Sequence, residues 1–281
     1  MKTSLAKEIF NIKNLQDFES KALEVFQFQA ENNVVYRDFI QNLRIAPASV
    51  RSIEAIPFLP INFFKSHHMV SATAETQITF SSSGTTGSQT SKHPLIDISI
   101  YEDSFRKGFQ HFYGNLADYT LLALLPSYTE REGSSLIYMV DDLISQAKPG
   151  SGYYLYNHQE LANKLEELKA QKQKTILIGV TYALLDFTEN FNLHFPEMIV
   201  METGGMKGKR KELIREELHK ILCRGFGVSH IHSEYGMTEL LSQAYSKGEG
   251  VFECPPWMQV CIRDTNDPFQ LLDEERTGGI N

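Results

Sequence analysis

TILIGVTYALLDFTENFNLHFPEMIVM, from Thr175 to Met201, is the stretch whose reading decides the fold. Thr175 to Val180 (TILIGV) and Met198 to Met201 (MIVM) are short, continuous apolar runs, and Tyr182 to Phe191 between them has helical spacing. Continuous apolar runs of this length suit strands buried on both faces, and the helix between them suits a parallel crossover.

The alternation extends in both directions. Thr120 to Leu125 (TLLALL) is stopped by Pro126, and Val228 to His232 (VSHIH) follows the last helical stretch. Ser134 to Ala147, Gln159 to Gln171 and Lys209 to Cys223 supply further helices. Strand and helix repeated this often predict an α/β fold, a predominantly parallel sheet covered by helices. Ahead of it Leu15, Phe18, Leu23, Phe26, Val34, Phe39 and Leu43 recur at near-helical spacing, and Pro47, Pro57 and Pro60 break the pattern. The expected division is a helical N-terminal cap over residues 1–56 and an α/β domain over 57–281. Arg263 to Asp267 and Asp273 to Asn281 are polar and turn-rich, so no closing helix or strand is expected there and the domain reads as incomplete at its C-terminal end.

Composition narrows the function. A chain of 281 residues, 42% hydrophobic, can bury a substantial core. Its net charge of −8, with no basic stripe, argues against nucleic acid as a partner, and KGKRK (Lys207 to Lys211) reads as a solvated face. Cys223, Cys254 and Cys261 have no CxxC spacing, so neither a zinc site nor a disulfide framework is implied. No apolar run approaches the roughly 18 residues of a membrane span, and the N-terminus has no signal-peptide pattern. A cytoplasmic, unanchored protein is expected.

In open parallel sheets ligands sit beyond the carboxyl ends of the strands. Two motifs are expected there: ETGG (Glu202 to Gly205) after one strand and YGMTE (Tyr235 to Glu239) after another. A third, SSSGTTG (Ser81 to Gly87), follows the alternating stretch Thr76 to Phe80. Its unobstructed N–H groups and hydroxyls suit polyphosphate oxygens, although an ordinary surface turn has the same composition. Gly204 and Gly205 would let backbone approach a flat ligand, and a turn before a helix explains the pair equally well. With Tyr235 as a stacking face and Glu239 as a carboxylate, these segments supply what a magnesium nucleotide needs.

Other chemistries fit less well. His230 and His232 alternate along an expected strand without a third ligand nearby. Cys254, in ECPPW, reads as a structural thiol. The chain lacks GxxxxGK[ST] and GxSxG, which removes a P-loop phosphotransferase and a serine hydrolase.

In their order, the three motifs resemble the adenylate-forming (acyl-CoA synthetase, AMP-binding) superfamily. INFFKSH (Ile61 to His67), LLALLPSYTERE (Leu121 to Glu132) and METGGMKGKRKEL (Met201 to Leu213) are closer still to its acyl-protein synthetase branch, of the bacterial bioluminescence fatty acid reductase system. The similarity covers Phe58 to Asn281.

The resemblance implies the large N-terminal domain of such an enzyme, with the C-terminal lid domain absent. It implies an ATP-dependent ligase that activates a small fatty or aromatic carboxylic acid as an acyl-adenylate. The acyl group then passes to a thiol, on coenzyme A or an acyl-carrying protein, with ATP and magnesium as cofactors. Ser82, Ser83, Gly84, Thr85, Thr86 and Gly87 would hold the β- and γ-phosphates. Gly204 and Gly205 would line the adenine pocket, with Tyr235 on the ring face and Gly236 beside it. Thr238 would donate to the α-phosphate and Glu239 would ligate magnesium, the two forming the catalytic pair.

Two features depart from the superfamily pattern. Ser88, Gln89, Thr90 and Ser91 precede Lys92 where Pro-Lys-Gly is usual, and no motif replaces the ribose-binding Asp and the adenylation Lys expected beyond Asn281. A nucleotide-binding or carrier-interacting module without turnover is the alternative. Phe109, Phe112, Tyr113, Leu136 and Met139 suit either an acid pocket or the core.

Overall fold

A short helix, α1 (Thr3–Glu8), precedes two longer ones whose starts are each capped by an asparagine. Asn14 accepts the Asp17 N–H at 2.9 Å ahead of α2 (Leu15–Asn32), and Asn33 accepts the Tyr36 N–H at 3.0 Å ahead of α3 (Val34–Asn42). Each cap satisfies a donor that the first helical turn leaves without a partner. The two helices close over Phe26, Ala30, Tyr36, Ile40 and Val50. Then come α4 (Phe63–Ser66) and an antiparallel hairpin of β1 (Ile78–Ser81) and β2 (Lys92–Leu95). The hairpin continues one step past its last strand pair. Ser82 donates its N–H to Ser91 O at 3.0 Å, and Ser91 N–H donates to Ser82 Oγ at 2.9 Å.

This computed structural model describes residues 3–71, 74–83, 89–126, 132–204, 210, 213–273 and 275–281. They fall into two units, Met1–Tyr101 with Cys254–Asn281, and Glu102–Glu253. The first unit thus holds residues 57–101 and 254–281 together with the N-terminal helices.

The second unit begins within α5 (Ser99–Tyr113) and alternates strand with helix. In order it contains β3 (Thr120–Leu124), α6 (Ser135–Gln146), β4 (Gly152–Tyr153), α7 (His158–Ala170), β5 (Thr175–Gly179), α8 (Thr181–Asn190) and β6 (Ile199–Glu202). It ends with α9 (Arg215–Phe226), β7 (His232–Tyr235), β8 (Ala244–Ser246) and β9 (Phe252–Glu253). These form one seven-stranded sheet in the order β4-β3-β5-β6-β7-β8-β9. The pairs from β4 to β7 are parallel, and those from β7 to β9 are antiparallel. The α/β class with a mainly parallel sheet is thus as expected.

From β3 the chain steps out to β4 and returns to β5 on the other side of β3, so strand order reverses there. Right-handed crossovers then place helices on both faces. On one, Arg106 of α5 donates through Nε to Asp142 of α6 at 3.0 Å. On the other, α7, α8 and α9 meet at Phe187, whose ring stacks on Phe226 at 5.6 Å and receives the edge of His158 at 5.7 Å. All five residues of β3 and of β5 are buried, as continuous apolar runs require.

Three expectations need correction. The last parallel strand is His232–Tyr235 in place of Val228 to His232, because buried polar residues form it. The last helix is Arg215–Phe226, and the expected start at Lys209 lies outside the described residues. Residues near the C-terminus do form a strand: β11 (Gly279–Ile280) pairs antiparallel with β10 (Ile262–Arg263) in the first unit.

Phe187 has no exposed surface, and its ring is shared by three helices. Phe187→Ala is expected to destabilise the chain by about 3–5 kcal/mol in denaturant unfolding. A loss under about 1 kcal/mol would mean that the three helices do not depend on this ring.

Candidate functional site

Glu202 is the last residue of β6 and lies in register with Ser233 of β7. Neighbouring residues in register direct their side chains to one face of a sheet, here the face of α8 and α9. The Glu202 carboxylate is 5% exposed and is held from several sides. Arg215 Nη1, at the start of α9, donates to Oε1 at 3.0 Å; Gly204 N–H donates to Oε2 at 2.7 Å; and Thr181 Oγ1 of α8 donates to Oε2 at 3.4 Å. Arg215 Nη1 also donates to Ser233 Oγ at 2.9 Å, and the guanidinium lies 5.1 Å over the Phe252 ring. One arginine thus ties β6 to β7 and lies against β9. His219 Nε2 is 3.7 Å from Glu202 Oε1, an ion-pair distance too long for a hydrogen bond, and no described residue hydrogen-bonds that buried nitrogen.

Burial pushes the Glu202 carboxyl up, but His219, Ser233, the Gly204 N–H and the Arg215 charge outweigh it. The group is held below the usual carboxylate range and is ionised at neutral pH. Gly204, at φ +72°, carries the turn after Glu202, and a Cβ built on it would meet no described residue within 4 Å. Among the described residues, the backbone at Gly204 is therefore open at the end of β6.

The opposite face of the same strands has different chemistry. His232 and Glu234 of β7 alternate with Ser233 and face α5. Tyr113 Oη and His232 Nδ1 are 3.2 Å apart. Burial, then the Lys247 and His230 charges, lower His232 to about 4, so its imidazole is neutral. The buried Tyr113 phenol is pushed well above its ordinary value. Glu234 is raised to about 8, first by burial and then by the Glu202 charge. Two carboxylates on adjacent strands thus differ in state at neutral pH, one ionised and one protonated.

The expected site residues divide accordingly. Gly204, Tyr235, Gly236, Thr238 and Glu239 lie at or just after the carboxyl ends of β6 and β7, with Thr238 and Glu239 in a turn ahead of β8. Tyr235 is half-buried, with its ring edge-to-face against Phe252 at 6.1 Å. Gly236 has a structural reason to be glycine, since a Cβ there would lie 2.4 Å from Glu234 Oε1. Glu239 is half-buried. Ser82 and Ser83 follow β1 in the first unit, whereas Gly84, Thr85, Thr86, Gly87 and Gly205 lie outside the described residues. Phe109, Phe112, Tyr113 and Met139 belong to the buried core.

Other side chains take structural positions. Arg210, from the basic run, donates through Nε to Asp186 at 2.7 Å and through Nη1 to Glu189 at 2.6 Å, both on α8. Burial raises the Cys254 thiol above its ordinary value, opposite to what an acyl-accepting nucleophile requires. Among the described residues, no group of three or more His, Cys, Asp or Glu could hold a metal ion. Arg215, His219 and Glu234 carried no signal in the sequence; a Glu closing the apolar run MIVM, two residues ahead of Gly204, was the one available sign that a cation must lie nearby.

Compared with known proteins, the chain matches no family model and no curated protein.

Removing Arg215 leaves Glu202 buried beside a reduced set of partners. Arg215→Met should cost about 2 kcal/mol, less than the roughly 3–5 kcal/mol of wholly buried pairs, because the guanidinium side chain is 42% exposed. In a Glu202→Gln background the same change should cost under about 1 kcal/mol. Equal costs in both backgrounds, by denaturant unfolding, would show that the residues are not coupled.

For Glu234 the folded pKa lies above the ordinary 4.5, at about 8. Between these values the unfolded chain releases a proton that the folded chain keeps, so this group's contribution to stability falls as pH rises. Relative to Glu234→Gln, the parent chain should lose about 1.4 kcal/mol per pH unit over that window. Parallel stability profiles for the two chains would refute the assignment.

Proposed function

We propose that the chain is an ATP-dependent ligase that activates a carboxylic acid as its acyl-adenylate and passes the acyl group to a thiol. The observation that carries this reading is the juxtaposition of ETG and YGMTE. They leave neighbouring parallel strands at the same, carboxyl end of the sheet, where ligands of open α/β sheets bind. The open backbone at Gly204 suits a flat base, and the half-buried Tyr235 supplies a ring close by in sequence to Thr238 and Glu239.

When bound, ATP supplies an electrophilic α-phosphorus and pyrophosphate as leaving group. On this reading Thr238 donates a hydrogen bond to the α-phosphate, and Glu239 is the protein ligand to magnesium. A magnesium site of this kind takes one or two carboxylates together with phosphate oxygens, so a single glutamate suffices. Glu202 and Arg215 hold the turn that carries Gly204 and stay outside the chemistry. The acid is a fatty or aromatic one, and the acceptor is coenzyme A or an acyl-carrying protein.

The test incubates the full chain with ATP, magnesium and a panel of fatty and aromatic acids, and follows pyrophosphate release and hydroxamate formation. Acid-dependent pyrophosphate is expected. Glu239→Gln should lower it roughly 100-fold while ATP binding changes by no more than a few-fold. ATP binding without pyrophosphate for any acid would support a binding module in place of a ligase. Undiminished turnover in Glu239→Gln would overturn the assignment of that residue.

A further inference from the structure

We propose that a cleft in the first unit, lined from α2, α3 and the segment 56–71, binds an uncharged amphipath whose head group presents a carbonyl oxygen. The cleft has a volume of about 430 Å³, within the roughly 300–1,000 Å³ usual for small-molecule sites. Val25, Phe26, Tyr36, Phe58, Phe64 and Met69 give it an apolar wall, and among its described lining residues there is no Asp, Glu, Lys or Arg, with the imidazole of His93 at its β2 side. This site is separate from the nucleotide reading and does not rest on it.

The head group follows from donor and acceptor accounting among Gln29, Asn33 and Ser71, which line the same cleft. Asn33 Oδ1 accepts the backbone N–H of Tyr36 at 3.0 Å. A backbone N–H can only donate, so this bond fixes which end of the Asn33 amide is oxygen. Nδ2 then faces Ser71 Oγ, 3.4 Å away, and donates to it. Ser71 passes its own hydrogen to Gln29 Oε1, which turns the Gln29 amide nitrogen away from the serine. The Tyr36 hydroxyl is already used, donating to Pro57 O at 2.9 Å.

What the network leaves over is N–H: one hydrogen on Asn33 Nδ2 and two on Gln29 Nε2, none of them given to a described residue. Asn33 is 6% exposed, so a donor there gains from an acceptor supplied by a ligand. A carboxylate would accept as well, but with no Lys or Arg in the described lining its desolvation is costly. An amine head would bring donors to donors. The remaining choice is a neutral carbonyl, as in an amide, ester or aldehyde, on an alkyl or aryl-alkyl body that covers the apolar wall.

Calorimetric titration of the full chain at about pH 7.5 with octanamide, octanoate and octylamine separates the three heads. Octanamide is expected to bind about tenfold tighter than either charged analogue. Gln29→Glu keeps an acceptor for the Ser71 hydroxyl but removes the amide donors. It should weaken octanamide about tenfold and strengthen octylamine. Ala22→Phe, which fills the cleft from α2, should abolish octanamide binding in a chain whose circular dichroism is unchanged. Octanamide binding no tighter than both charged analogues, or unaffected by both substitutions, would overturn the proposal.

Discussion

A carboxylate buried at the end of a central strand is unfavourable unless its lone pairs and its charge are both met. In the second unit Glu202 meets that requirement with Arg215 from α9, the Gly204 N–H from its own turn and the Thr181 hydroxyl from α8. Each partner comes from a different segment, so satisfying one side chain fixes the positions of several. The turn after β6, the start of α9 and the pairing of β6 with β7 through Ser233 are set together. The residues that follow β6 and β7 inherit their placement from this arrangement. Apolar packing around Phe187 stabilises the α7–α9 layer, but it does not specify where the strand ends lie relative to one another.

The two faces of β6 and β7 handle charge in opposite ways. On the α9 face Glu202 is ionised and paired; on the α5 face Glu234 is kept protonated by burial and by the Glu202 charge across the strands. His232 beside it is neutral for want of solvent. The cost of one buried charge is met with specific donors, and the second charge is avoided by protonation. Gly236 belongs to the same solution, because a side chain there would occupy the space of the Glu234 carboxyl.

This explains which parts were legible in the sequence. TLLALL, TILIGV and MIVM announce β3, β5 and β6 because those strands bury nearly every residue in apolar surroundings, and burial of that kind is written in composition alone. β7 reads HSEY, and its polar residues are buried only because Arg215, Tyr113 and the neighbouring strands receive them; no local pattern carries that information. The expected strand therefore slid upstream onto the more apolar VSHIH. Glu202 was visible as the start of ETGG, but its cation lies thirteen residues further along, past a turn and at a helix start. The C-terminal strand was missed for the opposite reason. Two residues around a Gly-Gly pair have no β pattern, and the pairing is specified by the partner strand.

The same electrostatics bear on the nucleotide reading. A chain of net charge −8 with two carboxylates on adjacent strand ends would oppose an anion at the mouth of the sheet if both were ionised and unpaired. Here one carboxyl carries no charge and the other is offset by the guanidinium of Arg215, whose side chain is 42% exposed. The ends of β6 and β7 are therefore close to neutral locally. A polyphosphate bound there would not face two buried negative charges beneath it. On that reading Glu239, in the turn beyond β7, would not add to a cluster of ionised carboxylates at these strand ends. Protonation of Glu234 and pairing of Glu202 are in this sense preconditions for an acidic ligand at this end of the sheet, and they are met by the fold before any ligand arrives.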